Sequence, residues 1–192
     1  MTILDARASR PIDGGPSFSM RNRLTRLAWT IAWRLLAAWT PRQLNGWRCL
    51  IARLFGATVA PGATIYGSAR IWLPAHLSIA RGASIGPGVA VYNMAPIAIG
   101  EGTIISQGAH LCAGTHDHRD PAFQLYARPI SIGARVWIAA EAFIGPGVAV
   151  GEGAVLGARA CTFKDLDAWT VYVGNPAQAI SERVIRQDFA RA

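Results

Sequence analysis

From Val59 onward an aliphatic residue returns every six positions, and this period constrains the fold more than any other feature of the chain. One run reads Ile85-Gly86-Pro87-Gly88-Val89-Ala90 and then Val91. Another passes from Ile99 through Ile105 to Leu111. The longest begins at Ile132-Gly133 and continues through Ile138-Ala139, Ile144-Gly145, Val150-Gly151 and Leu156-Gly157 to Thr162. Six is neither the period of an α-helix nor the simple alternation of a strand. It is the period of a parallel β-helix.

Each six-residue unit makes a short strand and a bend. The aliphatic side chain faces inward, and the small residue after it allows a sharp corner, where glycine supplies backbone angles that other residues resist. Three units close one triangular coil, so a residue stacks on the one eighteen further along. Ile132 then lies over Val150 and Ile144 over Thr162, and successive coils pair as parallel strands about 4.8 Å apart. Two slips, near Leu77 and near Ile97, read as two-residue insertions at corners.

The main break in the period is a polar insertion, residues 117–129, between His116 and the resumption at Ile130. Loops extruded from a rigid scaffold are where function concentrates. Ahead of the repeat, residues 23 to about 39 lack glycine and proline and are rich in Leu, Ala and Arg, as a helix requires. Thr40-Pro41-Arg42-Gln43 reads as the capped start of a second helix ending near Gly56. The expected organisation is a flexible N-terminus over 1–20, a helical segment over 21–56, the β-helix over 57–178, and a C-terminal helix or tail over 179–192.

With apolar residues at 52% and charged residues at 16%, the chain is a folded protein and not a disordered one. Cys49, Cys112 and Cys161 are odd in number, far apart and without CxxC spacing, so packing thiols are expected in place of disulfides or a zinc knuckle. Net charge is +8, and residues 1–56 hold nine arginines against two aspartates. That basic segment, with Trp29, Trp33 and Trp39 beside arginines, suits either packing against the main domain or an anionic membrane surface. Residues 24–39 are too short to span a bilayer. The first twenty residues hold Asp5, Arg7, Arg10 and Asp13 and no apolar run, so no secretory leader is expected and a cytoplasmic location is.

Further residues occur in a fixed order: Gly114-Thr115-His116-Asp117, then Ile132 through Ile138, then Gly157-Ala158, Lys164-Asp165 and Gly174-Asn175-Pro176-Ala177. Over about residues 20–185 this pattern resembles the hexapeptide-repeat O-acetyltransferases of the maltose, galactoside and nodulation type, and most of all those of colanic acid and other exopolysaccharide synthesis. The resemblance implies a left-handed coil, a homotrimer with its sites between subunits, and acetyl transfer from acetyl-CoA to a sugar hydroxyl of a free or lipid-linked glycan. It makes His116 the general base, a task suited to an imidazole that is neutral and basic near neutral pH. A backbone N–H would hold the oxyanion. His118 is the rival base, but His116 closes a repeat unit and so stands on the prism. Asp117 or Asp120 could orient the imidazole.

The same resemblance places Asn93 and Trp137 at the acceptor side of the site, with Asp117. The pantetheine arm falls along Ala139, Ala140, Gly157 and Ala158, with Lys164 and Arg183 toward the CoA phosphates. Ala139 departs from the family's usual glycine, and Phe163 from a smaller residue. Three readings stay beside the main one. These are N-acetylation of an amino sugar, a scaffold β-helix, and a zinc site of the γ-carbonic-anhydrase kind. The last is disfavoured by the spacing of His76, His110, His116 and His118, and no metal is expected.

Overall fold

The computed structural model describes residues 3–185, and they form a left-handed, three-faced parallel β-helix of about six coils, with helices at its N-terminal end. The first face runs Thr58–Val59, Leu77–Ile79, Ile97–Ile99, Ile130–Ile132 and Ala149–Val150. The second begins at Thr64–Ile65 and the third at Arg70–Ile71.

The inward column of the second face reads Ile65, Ile85, Ile105, Ile138, Leu156 and Tyr172, each stacked on the last by strand register. All six are buried. The third face stacks Ile71, Val91, Leu111, Ile144 and Thr162 in the same way. Thr162 ends that column, and its buried hydroxyl is satisfied by the Lys164 carbonyl at 2.7 Å.

Coil length varies, as the slips in the period require. Ile65 pairs with Ile85 and Val91 with Leu111, twenty residues apart, whereas Ile138 pairs with Leu156 and Ile144 with Thr162, eighteen apart. The additional residues sit at the corner between the third and first faces, beside the short turn Pro74–His76 and at residues 93–96. One other corner needs a left-handed residue in every coil. Gly62, Gly82, Gly102, Arg135, Gly153 and Trp169 fill it, all with positive φ. Glycine accepts that geometry without steric cost, and the later coils impose it on Arg135 and Trp169.

Asn93, expected to touch an acceptor, is fully buried at the corner between the third and first faces. Its Oδ1 accepts from the Leu73 amide at 2.9 Å and its Nδ2 donates to the Leu73 carbonyl at 2.6 Å. The amide therefore continues the coil-to-coil ladder through an irregular corner, and this chain does not present it to solvent.

The helices are α1 (Ala6–Ser9), α2 (Met20–Leu36) and α3 (Asn45–Leu54). Both long helices lie against the first coils. Trp29 and Trp33 of α2 donate their indole N–H groups to the carbonyls of Ile71 and Gly67. A Cβ on Gly67 would sit 2.5 Å from the Ala38 carbonyl oxygen, so glycine is what lets the end of the α2 segment approach the coil.

Arg48 of α3 is buried without a carboxylate. Its guanidinium donates to the carbonyls of Ile65, Thr40, Pro41 and Arg42 and to the Thr40 hydroxyl. The role expected for Thr40 as a helix cap is corrected here. A short turn, Arg42–Leu44, intervenes before α3, and Thr40 serves Arg48 instead.

Both termini differ from expectation. Residues 3–18, expected to be flexible, bridge Ile3 to Phe18, and the Ala6 amide donates to Gln124 of the inserted loop at 2.6 Å. The segment expected to be a C-terminal helix is a strand, Gln178–Glu182, antiparallel to Thr170–Val173. The last coil has an open edge, and pairing satisfies its backbone groups where a helix could not. The remainder of that expected helix, 186–192, lies outside the described residues.

Two stability measurements follow. Arg48→Ala should cost about 3 kcal/mol in denaturant unfolding, because several buried carbonyls lose a charged donor together. Asn93→Ala should cost about 2 kcal/mol, because it leaves the Leu73 N–H and C=O unpaired. A mere sugar contact would instead leave the unfolding midpoint unchanged and raise KM alone.

Candidate active site

The insertion leaves the prism at the same corner as Asn93. It opens as a two-stranded antiparallel hairpin, Gly114–His116 against Leu125–Ala127, so the loop is anchored by regular pairing at its base. Its root is tight: a Cβ on Gly114 would overlap the Met94 side chain.

His116 is the last residue of the first hairpin strand, and its side chain is exposed. Its Nδ1 lies 2.7 Å from the carbonyl oxygen of Phe123 across the hairpin. A carbonyl can only accept, so Nδ1 carries the hydrogen and the neutral ring keeps its lone pair on Nε2. A backbone group therefore does what Asp117 or Asp120 was expected to do. Asp117 accepts from the Arg119 amide at 3.0 Å, and that bond holds its carboxyl below the usual carboxylate range. Asp120 caps its own turn through the Ala122 amide. Neither is bonded to His116. The sequence offers no signal for the Phe123 contact, because any residue has a carbonyl. His118 stands further out, on a shallow exposed depression shared with Arg119, Tyr126 and Arg128.

Ala139 and Ala140 lie on a different corner, between the second and third faces. Strand register sets them directly over Gly157 and Ala158 of the next coil. For two coils, no side chain on this ledge is larger than a methyl. Gly157 has a packing reason as well, since a Cβ there would come within 2.9 Å of Val173. Trp137 borders the ledge, half exposed, with its indole N–H on the Ser106 hydroxyl at 2.9 Å. It lies beside Ile104, also half exposed, on the outer side of the second face.

Lys164 is exposed on the corner of the hairpin, two coils beyond it. Arg183 belongs to the third corner, where Nη1 donates to the carbonyls of Arg135 and Gly153 at 2.7 and 2.9 Å. The expected site residues thus divide among three edges of the prism. His116 and Lys164 share one, the small-residue ledge occupies a second, and Arg183 is tied to the third.

A cleft of about 400 Å³ opens between α2 and the third face. Arg26, Arg70, Trp72, Tyr92 and His110 line it, and no acidic residue does. His110 and Tyr92 belong to the strands that lead into the hairpin corner. Burial, and then the nearby Arg70, push the His110 imidazole below its ordinary range. Among the described residues, no three His, Cys, Asp or Glu side chains come together in a group able to hold a metal ion.

No protein-family model matches the chain. It is 41% identical over 156 residues to WcaF of Escherichia coli (strain K12), named as a colanic acid biosynthesis acetyltransferase, covering 81% of this chain and 86% of that protein. Among solved structures, a galactoside acetyltransferase in complex with coenzyme A superposes with a TM-score of 0.80 at 22% identity, covering 88% of this chain and 86% of the other. The hexapeptide-repeat acetyltransferase VCA0836 from Vibrio cholerae O1 biovar eltor, complexed with acetyl coenzyme A, gives 0.77 at 20% identity, with 89% and 93% covered. Related to WcaF across four-fifths of its length and sharing its coil with these enzymes, the chain belongs to the hexapeptide-repeat acetyltransferase family and is an acyltransferase.

Proposed function

We propose that the chain transfers an acetyl group from acetyl-CoA to a hydroxyl of a sugar or lipid-linked glycan, as a cytoplasmic homotrimer, with His116 as general base. The observation that carries this reading is the His116–Phe123 contact. It orients the ring and leaves the unprotonated Nε2, on an exposed side chain, to meet a hydroxyl.

In the reaction, Nε2 accepts the proton of the acceptor hydroxyl while the oxygen attacks the thioester carbon. The C–S bond then breaks, and the imidazolium returns its proton to the departing thiolate. The products are an acetyl ester and free CoA. A backbone N–H would stabilise the oxyanion. The four small residues Ala139, Ala140, Gly157 and Ala158 suit a thin pantetheine chain, bordered on the same corner by the Glu141–Arg159 ion pair. Lys164 is a free-standing cation for phosphate, whereas Arg183 is committed to two carbonyls and supplies charge only from a fixed position. Trp72 and Tyr92 line the cleft beside the hairpin corner, with the Arg26 guanidinium over the Trp72 ring.

Base and ledge lie on different edges of one prism, so a working site needs the hairpin of one subunit to meet the ledge of another. The half-exposed Ile104 and Trp137 on the intervening face are suited to burial against that neighbour.

Calorimetric titration with acetyl-CoA should give saturable binding near one site per chain. His116→Ala should keep that affinity within about twofold and lose roughly 10²- to 10⁴-fold in turnover with a sugar acceptor. A folded protein that does not bind acetyl-CoA would overturn the reading. Sedimentation should return the mass of three chains, and Ile104→Glu should dissociate the assembly and abolish acetyl-CoA binding together.

A further inference from the structure

Residues 14–100 contain no aspartate or glutamate, and all of α2 and α3 lie within that stretch. The inward side of α2 is set by Asn22, Trp29 and Trp33, all buried. At about 100° per residue, the opposite side carries Met20, Leu24, Leu27, Ile31 and Leu35 as one narrow stripe. Every member of it is exposed, from 49% at Ile31 to 66% at Leu35. Arg21 flanks this stripe on one side and Arg23 and Arg34 on the other, and all three are exposed.

The second helix repeats the arrangement. Trp47, Leu50 and Leu54 follow one another at helical spacing on the outside of α3, with Leu54 76% exposed. Arg53 and, just ahead of the helix, Arg42 stand beside them. Trp39 in the connection is 71% exposed. The indoles of Trp39 and Trp47 donate to consecutive carbonyls, Leu35 and Leu36, at 2.7 Å each. Those two bonds tie both indoles to the end of α2 and satisfy their polar atoms, while the side chains stay largely exposed.

We infer that this helical pair is an interfacial docking surface for an anionic lipid bilayer. An apolar stripe bordered by arginines and tryptophans is the pattern of a helix lying in the headgroup region. No described helix is long and apolar enough to cross a membrane. Charge selects the occupant. If two copies packed face to face through these helices, arginine would oppose arginine with no carboxylate from residues 14–100 to separate them. Anionic headgroups match both the sign of the charge and the adjacent apolar stripe. The helices cap the first coils and leave the ledge and the hairpin on later ones, so docking holds the catalytic coils off the bilayer. The inference rests on the helices and does not depend on the acyl-transfer reading.

The test uses the full chain and two vesicle compositions, phosphatidylcholine alone and phosphatidylcholine with phosphatidylglycerol. Co-sedimentation should be roughly tenfold or more tighter with the anionic vesicles and should weaken at high salt. The double variant Leu27→Glu with Leu35→Glu, both at exposed positions, should lose vesicle binding while its unfolding midpoint and acetyl-CoA titration stay as in the parent. The inference fails if the parent remains in the supernatant with anionic vesicles, or if the variant binds them equally well. It also fails if the variant changes oligomeric mass while the parent ignores lipid, since the face would then be covered by another copy.

Discussion

Everything in this molecule hangs on the stacking register of one coil upon the next. Each short strand makes few hydrogen bonds of its own, and a pair of residues cannot hold a strand in isolation. Coil-to-coil pairing supplies the missing bonds, and the inward columns supply the burial. A residue such as Ile138 is therefore fixed twice, by the backbone of Ile105 and Leu156 and by their side chains above and below it. A slip in register would move an outward residue such as Trp137 into the column. Variation is confined to corners, where the chain lengthens by two residues in early coils and by a whole hairpin at one point without disturbing any column.

Such a stack has two open ends, and each is closed by different chemistry. The C-terminal end pairs its exposed edge with an antiparallel strand, Gln178–Glu182. The N-terminal end meets the side of a helix, which has no backbone donors to spare. Side chains must supply them: Arg48 donates to the Ile65 carbonyl, Arg53 to the Val59 carbonyl and Asn45 to the Ala63 carbonyl, while the Asn45 oxygen accepts from the Ile65 amide. Arginine suits this task because its five donors fan out from one planar group that cannot lose its charge. The Arg48 charge is offset here by carbonyl dipoles and the Thr40 hydroxyl.

What the sequence makes legible follows from the same logic. The six-residue period exposes the columns, because burial tolerates only aliphatic residues there. The corner insertion exposes the hairpin, although His116, read as closing a repeat on the prism, ends the first strand of that hairpin instead. Other features leave no such trace. An asparagine that reads a ligand and one that bridges Leu73 to its own coil are the same residue in the same corner, so Asn93 is ambiguous until its burial is known. The partner of the His116 imidazole is a main-chain oxygen, for which no residue type is diagnostic. The terminal strand is missed because its pairing partner is the open edge of a coil, a tertiary fact that outweighs local helix propensity.

The division of groups among the three edges is what joins fold to chemistry. A prism holds its corners apart rigidly, so no motion of a single chain brings His116 to the Ala139–Gly157 ledge. A second prism can do so without bending either one, by setting one subunit's hairpin corner against its neighbour's ledge. On the proposed trimer, the enzyme would obtain a preorganised site from two rigid bodies, and the precision of the site would be that of the interface. The proposed assembly would also cover the apolar side chains left half exposed on the second face of the lone chain. In the proposed trimer, residues such as Ile104 would lie in the interface that also makes the site.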